Sequence, residues 1–86
     1  MSDLAAFSRQ AQIAALVEAL LVRKNVPAGA GTDEDLHDRG LTSLDLVNLM
    51  LAVEDEFGIE IPQPEMTPDN FRTIAAIERL VSRVAG

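Results

Sequence analysis

The sequence has no cysteine, which excludes disulfides, thiolate metal sites and cysteine catalysis together. Positive charge is scarce: seven Lys and Arg stand against fourteen Asp and Glu, for a net charge of −7. Nucleic-acid affinity rests on neutralised phosphates, and anionic membrane surfaces also demand cations, so neither is an expected partner. An acidic field instead favours basic protein partners, reached by electrostatic steering. The opening MSDLAAFSRQ has neither the charged nor the apolar region of a signal peptide, and no apolar run approaches a membrane span. A cytoplasmic, monomeric protein is the expectation. Eighty-six residues leave room for a single domain, residues 1–86, with one core. A chain this short buries only about 60% of its unfolded surface, which leaves little for an elaborate catalytic cleft.

Internal repeats and low-complexity segments are also absent, so organisation is read from periodicity. Ile13, Leu16, Val17, Leu20 and Leu21 recur at i, i+3, i+4, i+7 and i+8, predicting a first helix over residues 3–24 with one buried face. Ser2 or Asp3 is placed to cap its start, and Pro27 prevents continuation past Asn25. The connection NVPAGAGTDEDLHDRGLT follows, with loop-forming proline, glycines and acids. Leu36 and Leu41 are expected to pin it to the bundle. Loops this long without regular structure are uncommon and often functional.

A second helix is predicted over 43–57, with Gly58 as its stop. Thr67, Pro68 and Asp69 combine a cap, a first-turn proline and a first-turn acid, predicting a short helix over 68–71. Ile74, Ile77, Leu80, Val81 and Val84 mark a last helix over 73–84. The one alternating piece, GIEIP, is ended by Pro62, so strands are not supported. The expected fold is all-α, a four-helix bundle of three longer helices and one short helix, with a long loop between helices 1 and 2.

The second helix carries more apolar residues than one face can bury. On a wheel of about 100° per residue, Leu46, Leu49, Met50, Val53 and Phe57 gather on one side, the expected core face. Leu44, Val47 and Leu51 fall nearly opposite, with Asp45, Asn48, Glu54 and Asp55 around them. A short apolar stripe with an acidic rim is a protein-docking surface of the helix-face kind. The competing reading packs the stripe under the long loop or the short helix. Leu44 at least is expected to be partly buried.

The helix entry is specific as well. In TSLD, Thr42 is placed as the N-cap and Asp45 as the reciprocal acid at the third helical position, close to a capping box. Ser43 then lies in the first turn, its hydroxyl at the positive end of the helix dipole. An anionic group attached there, such as a phosphodiester, would be stabilised by the dipole and by free backbone N–H groups. The plainer alternative is that Ser43 only helps to cap the helix.

These residues carry a resemblance. DRGLTSLDLVNLMLAVEDEFGIEIP, from Asp38 to Pro62, resembles the signature of the acyl carrier protein family, in which an Asp-Ser-Leu triplet follows a glycine-containing turn. The long first helix, long loop and terminal helix also match that family's bundle. The resemblance implies a stand-alone carrier that is not itself an enzyme. Ser43 would bear a covalent 4′-phosphopantetheine arm, with Thr42 capping the helix beside it. An acyl or aminoacyl group would ride on the arm as a thioester.

The same resemblance implies partner-facing roles for Leu44, Val47 and Leu51, and acidic recognition roles for Asp45, Glu54 and Asp55. It places Leu49, Val53, Phe57 and Ile61 in the acyl-accommodating interior. The implied partners are a phosphopantetheinyl transferase, an acyl- or aminoacyl-loading ligase, and downstream transferases with basic docking surfaces. Three departures stand out: Thr42 replaces the family's Asp, Arg39 stands where Leu is usual, and Asn48 replaces a common acid. They point away from housekeeping fatty-acid synthesis and toward a specialised acyl or aminoacyl pathway.

Other functions fit less well. A hydrolase built on Ser43, His37 and a nearby acid has no oxyanion-hole feature, and the only histidine lies in an acidic loop. DEDLHDRG lacks the alternating oxygen ligands and sixth-position glycine of a calcium loop, so no metal site is expected. The rival from a different class is an unmodified helical interaction module with a carrier-like fold. A housekeeping fatty-acid carrier is the rival within the class.

Overall fold

The computed structural model describes residues 2–27 and 29–85, with side chains from Arg9 onward. Three α-helices and no strands occur among them: α1 (Ser2–Arg23), α2 (Ser43–Phe57) and α3 (Ile74–Ala85). The side chains of Ser2 and Asp3, expected to cap α1, lie outside the described residues. At its other end, α1 is stopped before Pro27 is reached. Asn25 takes a left-handed φ of 59°. The Asn25 N–H bonds the Val22 carbonyl and the Val26 N–H bonds the Leu21 carbonyl, each at 3.0 Å. Together these close a Schellman turn. Gly58 ends α2 in the same left-handed region, at φ 62°, with its N–H on the Glu54 carbonyl.

The three helices meet around one core. Ile13, Val17 and Leu21 of α1, Leu49 and Val53 of α2, and Ile74, Ile77, Leu80 and Val81 of α3 are buried together. Each such side chain contributes on the order of 1.5–3 kcal/mol relative to exposure. Leu16, Phe57 and Val84, which share the expected faces, sit at the edge of this cluster and are only partly buried. Ile61 is buried where the chain leaves α2.

The segment between α2 and α3 departs most from the sequence expectation. It forms two 3₁₀ turns, Gln63–Glu65 and Pro68–Phe71. Thr67 precedes the second turn, but its side chain makes no capping bond. The turn is held instead by Phe71, among the largest fully buried side chains, and by Asn70, whose Nδ2 donates to the Glu65 carbonyl at 2.7 Å. α3 starts at Ile74 because Thr73 caps it, with Thr73 Oγ1 accepting from the Ala76 N–H at 3.0 Å.

The long α1–α2 loop is fastened along its length. The Glu18 carboxylate, on α1, accepts from the Gly29 N–H at 2.8 Å and the Ala30 N–H at 3.2 Å. The Ala75 N–H donates to the Thr32 carbonyl at 3.0 Å, and the Leu36 N–H donates to the Arg72 carbonyl at 2.7 Å. Leu36 and Leu41 are buried, as their isolated apolar character in the loop predicts. Arg39 bridges to Glu34 at 2.8 Å. Gly40 makes the final bend with φ 108°, a conformation that disfavours any side chain. The loop thereby delivers Leu41 into the core and Thr42 to the head of α2.

Candidate functional site at the head of the second helix

Thr42 and Asp45 form a complete capping box. The Asp45 N–H donates to Thr42 Oγ1 at 3.2 Å, and the Asp45 carboxylate accepts from the Thr42 N–H at 2.8 Å. The Thr42 hydroxyl also donates to Asp45 Oδ2 at 3.0 Å. That leaves the N–H groups of Ser43 and Leu44, in the first helical turn, without intrahelical acceptors. Ser43 itself is exposed, and its hydroxyl has no hydrogen-bond partner among the described residues. An unencumbered primary alcohol therefore stands beside free donors at the positive end of a helix.

Lys24, at the end of α1, reaches across and pairs with Asp45 Oδ2. The Lys24 ammonium first, and then the Thr42 N–H, hold the Asp45 carboxyl down to about 2, from an ordinary 3.8. The Asp45 side chain is only 14% exposed. Asp45 is thus turned toward α1, whereas the resemblance placed it on the partner-facing rim. A lysine 21 residues away gives no local signal of this pairing. The only hint in the sequence is that Lys24 is its single lysine.

The stripe on the outer face of α2 is open. Leu44 is 69% exposed, Val47 44% and Leu51 54%. The expectation that Leu44 is partly packed is therefore corrected: neither the loop nor the 3₁₀ turns cover it, because Leu36, Leu41 and Phe71 turn inward to the core. Leu46, Leu49, Met50 and Val53 occupy the opposite, buried face. Glu54 is half-buried, and its Oε2 accepts from the Ile61 N–H at 2.8 Å. Asp55 is exposed and has no partner among the described residues. Of the three acids expected around the stripe, only Asp55 is wholly directed to solvent.

A cavity of about 220 Å³ opens beside Ser43, lined also by His37, Leu46, Pro68 and Arg72. The loop and the Pro68–Phe71 turn thus meet next to the serine, an arrangement not anticipated from sequence. His37 makes no nucleophile–base pair there. Its backbone N–H donates to Asp35 Oδ1 at 2.8 Å, and its ring has no hydrogen bond among the described residues. Arg72 is engaged by Asp69 at 3.0 Å and Asp35 at 3.6 Å. No three His, Asp or Glu side chains are grouped to hold a metal among the described residues, and no helix there is long and apolar enough to cross a membrane.

Known proteins resemble this chain in sequence and in fold. The family model described as "Phosphopantetheine attachment site" matches residues 11–81. Aminoacyl carrier protein 1 of Bradyrhizobium diazoefficiens is 46% identical over 70 residues, covering 81% of this chain and 78% of its own. Aminoacyl carrier protein 2 of the same organism is 37% identical over 81 residues, covering 94% and 91%.

Among solved structures, one similar chain comes from the crystal structure of Bradyrhizobium japonicum glycine:[carrier protein] ligase complexed with its cognate carrier protein and an analogue of glycyl adenylate. It matches with a TM-score of 0.79 and 41% identity, over 88% of this chain and 97% of that one. The two chains are therefore of nearly equal length, and the matched one is the carrier. A second match, at TM-score 0.69 and 30% identity, covers 84% of this chain and 99% of a chain in an engineered form of that ligase complexed with a carrier protein from Agrobacterium tumefaciens and ATP.

Proposed function

The chain belongs to the family that bears a phosphopantetheine attachment site, and from that premise we propose that it is a single-domain, cytoplasmic carrier of amino acids. Ser43 is the attachment residue in this reading. Its free hydroxyl, in a first turn whose N–H groups lack acceptors, carries the assignment. Thr42 and Asp45 fix the backbone of that turn, so Ser43 is presented at a defined place at the end of the helix. When bound, 4′-phosphopantetheine supplies the thiol that this cysteine-free chain lacks, and the cargo is held there as a thioester.

The chain's own part is address and support. Ser43 has no base hydrogen-bonded to it among the described residues, His37 in the same cavity included, so attachment is the work of a phosphopantetheinyl transferase. Leu44, Val47 and Leu51 form the contact patch for partner enzymes, with Asp55 at its edge. Catalysis resides in those partners. The similarity to aminoacyl carrier proteins and to the carrier of a glycine ligase complex supports an aminoacyl-loading ligase as the one that charges it. The Pro68–Phe71 turn serves as the bundle's fourth element, holding the loop against α3 beside the serine.

Incubation of the protein with coenzyme A and a promiscuous phosphopantetheinyl transferase tests this reading. Intact mass spectrometry should show one added phosphopantetheine, absent in Ser43→Ala. Adding an amino acid:[carrier protein] ligase, ATP and glycine should then add one aminoacyl mass, released by hydroxylamine. No gain with several transferases would leave an unmodified interaction module. Modification followed by loading with fatty acids alone would make it an acyl carrier.

A further inference from the structure

The head of α2 differs in charge from what its residue types imply. Asp45 follows the attachment position by two residues, where an unpaired carboxylate would stand beside Leu44 at the edge of the docking patch. Its Oδ2 is instead held by Lys24 and by the Thr42 N–H and hydroxyl. Lys24 is the chain's only lysine, and it sits just past the end of α1, where that helix approaches the start of α2. Arg23 beside it is exposed and has no partner among the described residues. The pairing is therefore particular to Lys24 and does not follow from generally high positive charge.

We propose that Lys24 is a specificity-determining residue: by pairing with Asp45, which the capping box already turns back toward Thr42, it neutralises that carboxylate at the edge of the docking surface, so that the head of α2 presents an apolar patch instead of an acidic one. The partner that fits is an enzyme whose docking face sets apolar side chains against Leu44, Val47 and Leu51 and needs few cations opposite the start of the helix. Of Asp45, Glu54 and Asp55, a partner built around a basic patch finds only Asp55 exposed and without a partner among the described residues. The net charge of −7 still steers encounter at long range. Contact itself selects against strongly basic docking faces.

This inference rests on the carrier reading, and its test separates the two. The measurement is kcat/KM for transfer of phosphopantetheine onto the apo protein by a transferase with a basic docking face, at ionic strengths from low salt upward. Lys24→Met removes the counter-charge from Asp45, which stays in the capping box with Thr42, while Arg23→Met changes net charge equally and leaves the Lys24–Asp45 pair in place. Lys24→Met should raise kcat/KM about fivefold at low salt, converging with wild type at high salt, where such contacts are screened. Arg23→Met should stay near wild type throughout. In Lys24→Met/Asp45→Asn the gain should vanish, because no carboxylate is left there.

Equal behaviour of Lys24→Met and Arg23→Met overturns the inference while leaving the carrier reading intact. No modification of wild type by any transferase overturns the reading itself. A second comparison needs no change at Lys24. Asp55→Asn should flatten the salt dependence of wild-type transfer more than Asp45→Asn does, and the opposite order overturns the inference.

Discussion

At the scale of single residues, Asp45 carries the most structural responsibility in the site. It closes the capping box, accepts the Lys24 ammonium and sits two positions from Ser43. Its carboxyl lies at about 2 in the folded chain, below its ordinary 3.8. A depressed carboxyl stabilises the fold fully above the unfolded value and loses that contribution as pH falls through the folded one. The stabilisation should be complete above a pH of about 4 and lost toward about 2, and its size is on the order of 1–2 kcal/mol. Asp45→Asn should unfold at a lower temperature than wild type at pH 7, and the gap should close between pH 4 and pH 2. Thermal unfolding followed by circular dichroism at several pH values reads this directly, and a gap that persists at pH 2 would show that the ion pair and cap contribute nothing through charge. The cap was legible in TSLD because it is local. The ion pair was not, because it depends on how α1 lies across α2.

At the scale of elements, α2 is two surfaces on one helix. Its period places Leu46, Leu49, Met50 and Val53 inside and Leu44, Val47 and Leu51 outside, and the structure agrees for each of these seven. Periodicity alone could not decide whether the second stripe was covered. That depended on where the loop and the segment after α2 put their own apolar residues. Leu36, Leu41, Ile61 and Phe71 turn to the core and Val26, Ile59 and Met66 pack against its edge, so that among the described residues Leu44, Val47 and Leu51 stay exposed. Phe71 was the least legible of these, since it stands at the end of a four-residue 3₁₀ turn too short to show a period.

A charge placed on the stripe should therefore spare the fold. Val47→Glu and Leu51→Glu should each keep the unfolding free energy within about 0.5 kcal/mol of wild type, as is usual for surface changes. Ligase-catalysed loading should fall about tenfold or more in kcat/KM, since each buries an unpaired carboxylate in an apolar contact. Loading rates and melting curves on the same samples make the comparison. Unfolding of both variants would mean that the stripe is packed in solution.

At the scale of the whole molecule, the contrast between core and proposed docking face can be measured with one chemical change made in two places. Leu36 lies in a loop yet is fully buried, while Leu44 lies in a helix yet is 69% exposed. A ranking by secondary structure would make the helical leucine the more important for stability. Burial reverses that order. Removing the Leu36 side chain opens a void in the core, and it loosens the segment whose N–H bonds the Arg72 carbonyl. Leu36→Ala should cost about 2–5 kcal/mol, a large part of the roughly 5–15 kcal/mol available to a domain. Leu44→Ala should change stability by less than about 0.5 kcal/mol yet slow partner transfer, since Leu44 stands beside Ser43 on the open stripe. Urea unfolding of both variants, paired with phosphopantetheine transfer rates, gives two axes on which they should separate completely. Leu36→Ala should move along stability, with transfer retained wherever the protein stays folded, and Leu44→Ala should move along transfer alone. If both moved together on both axes, the loop and the docking face would be one cooperative unit, and the division of this chain into a supporting core and an independent address would be wrong.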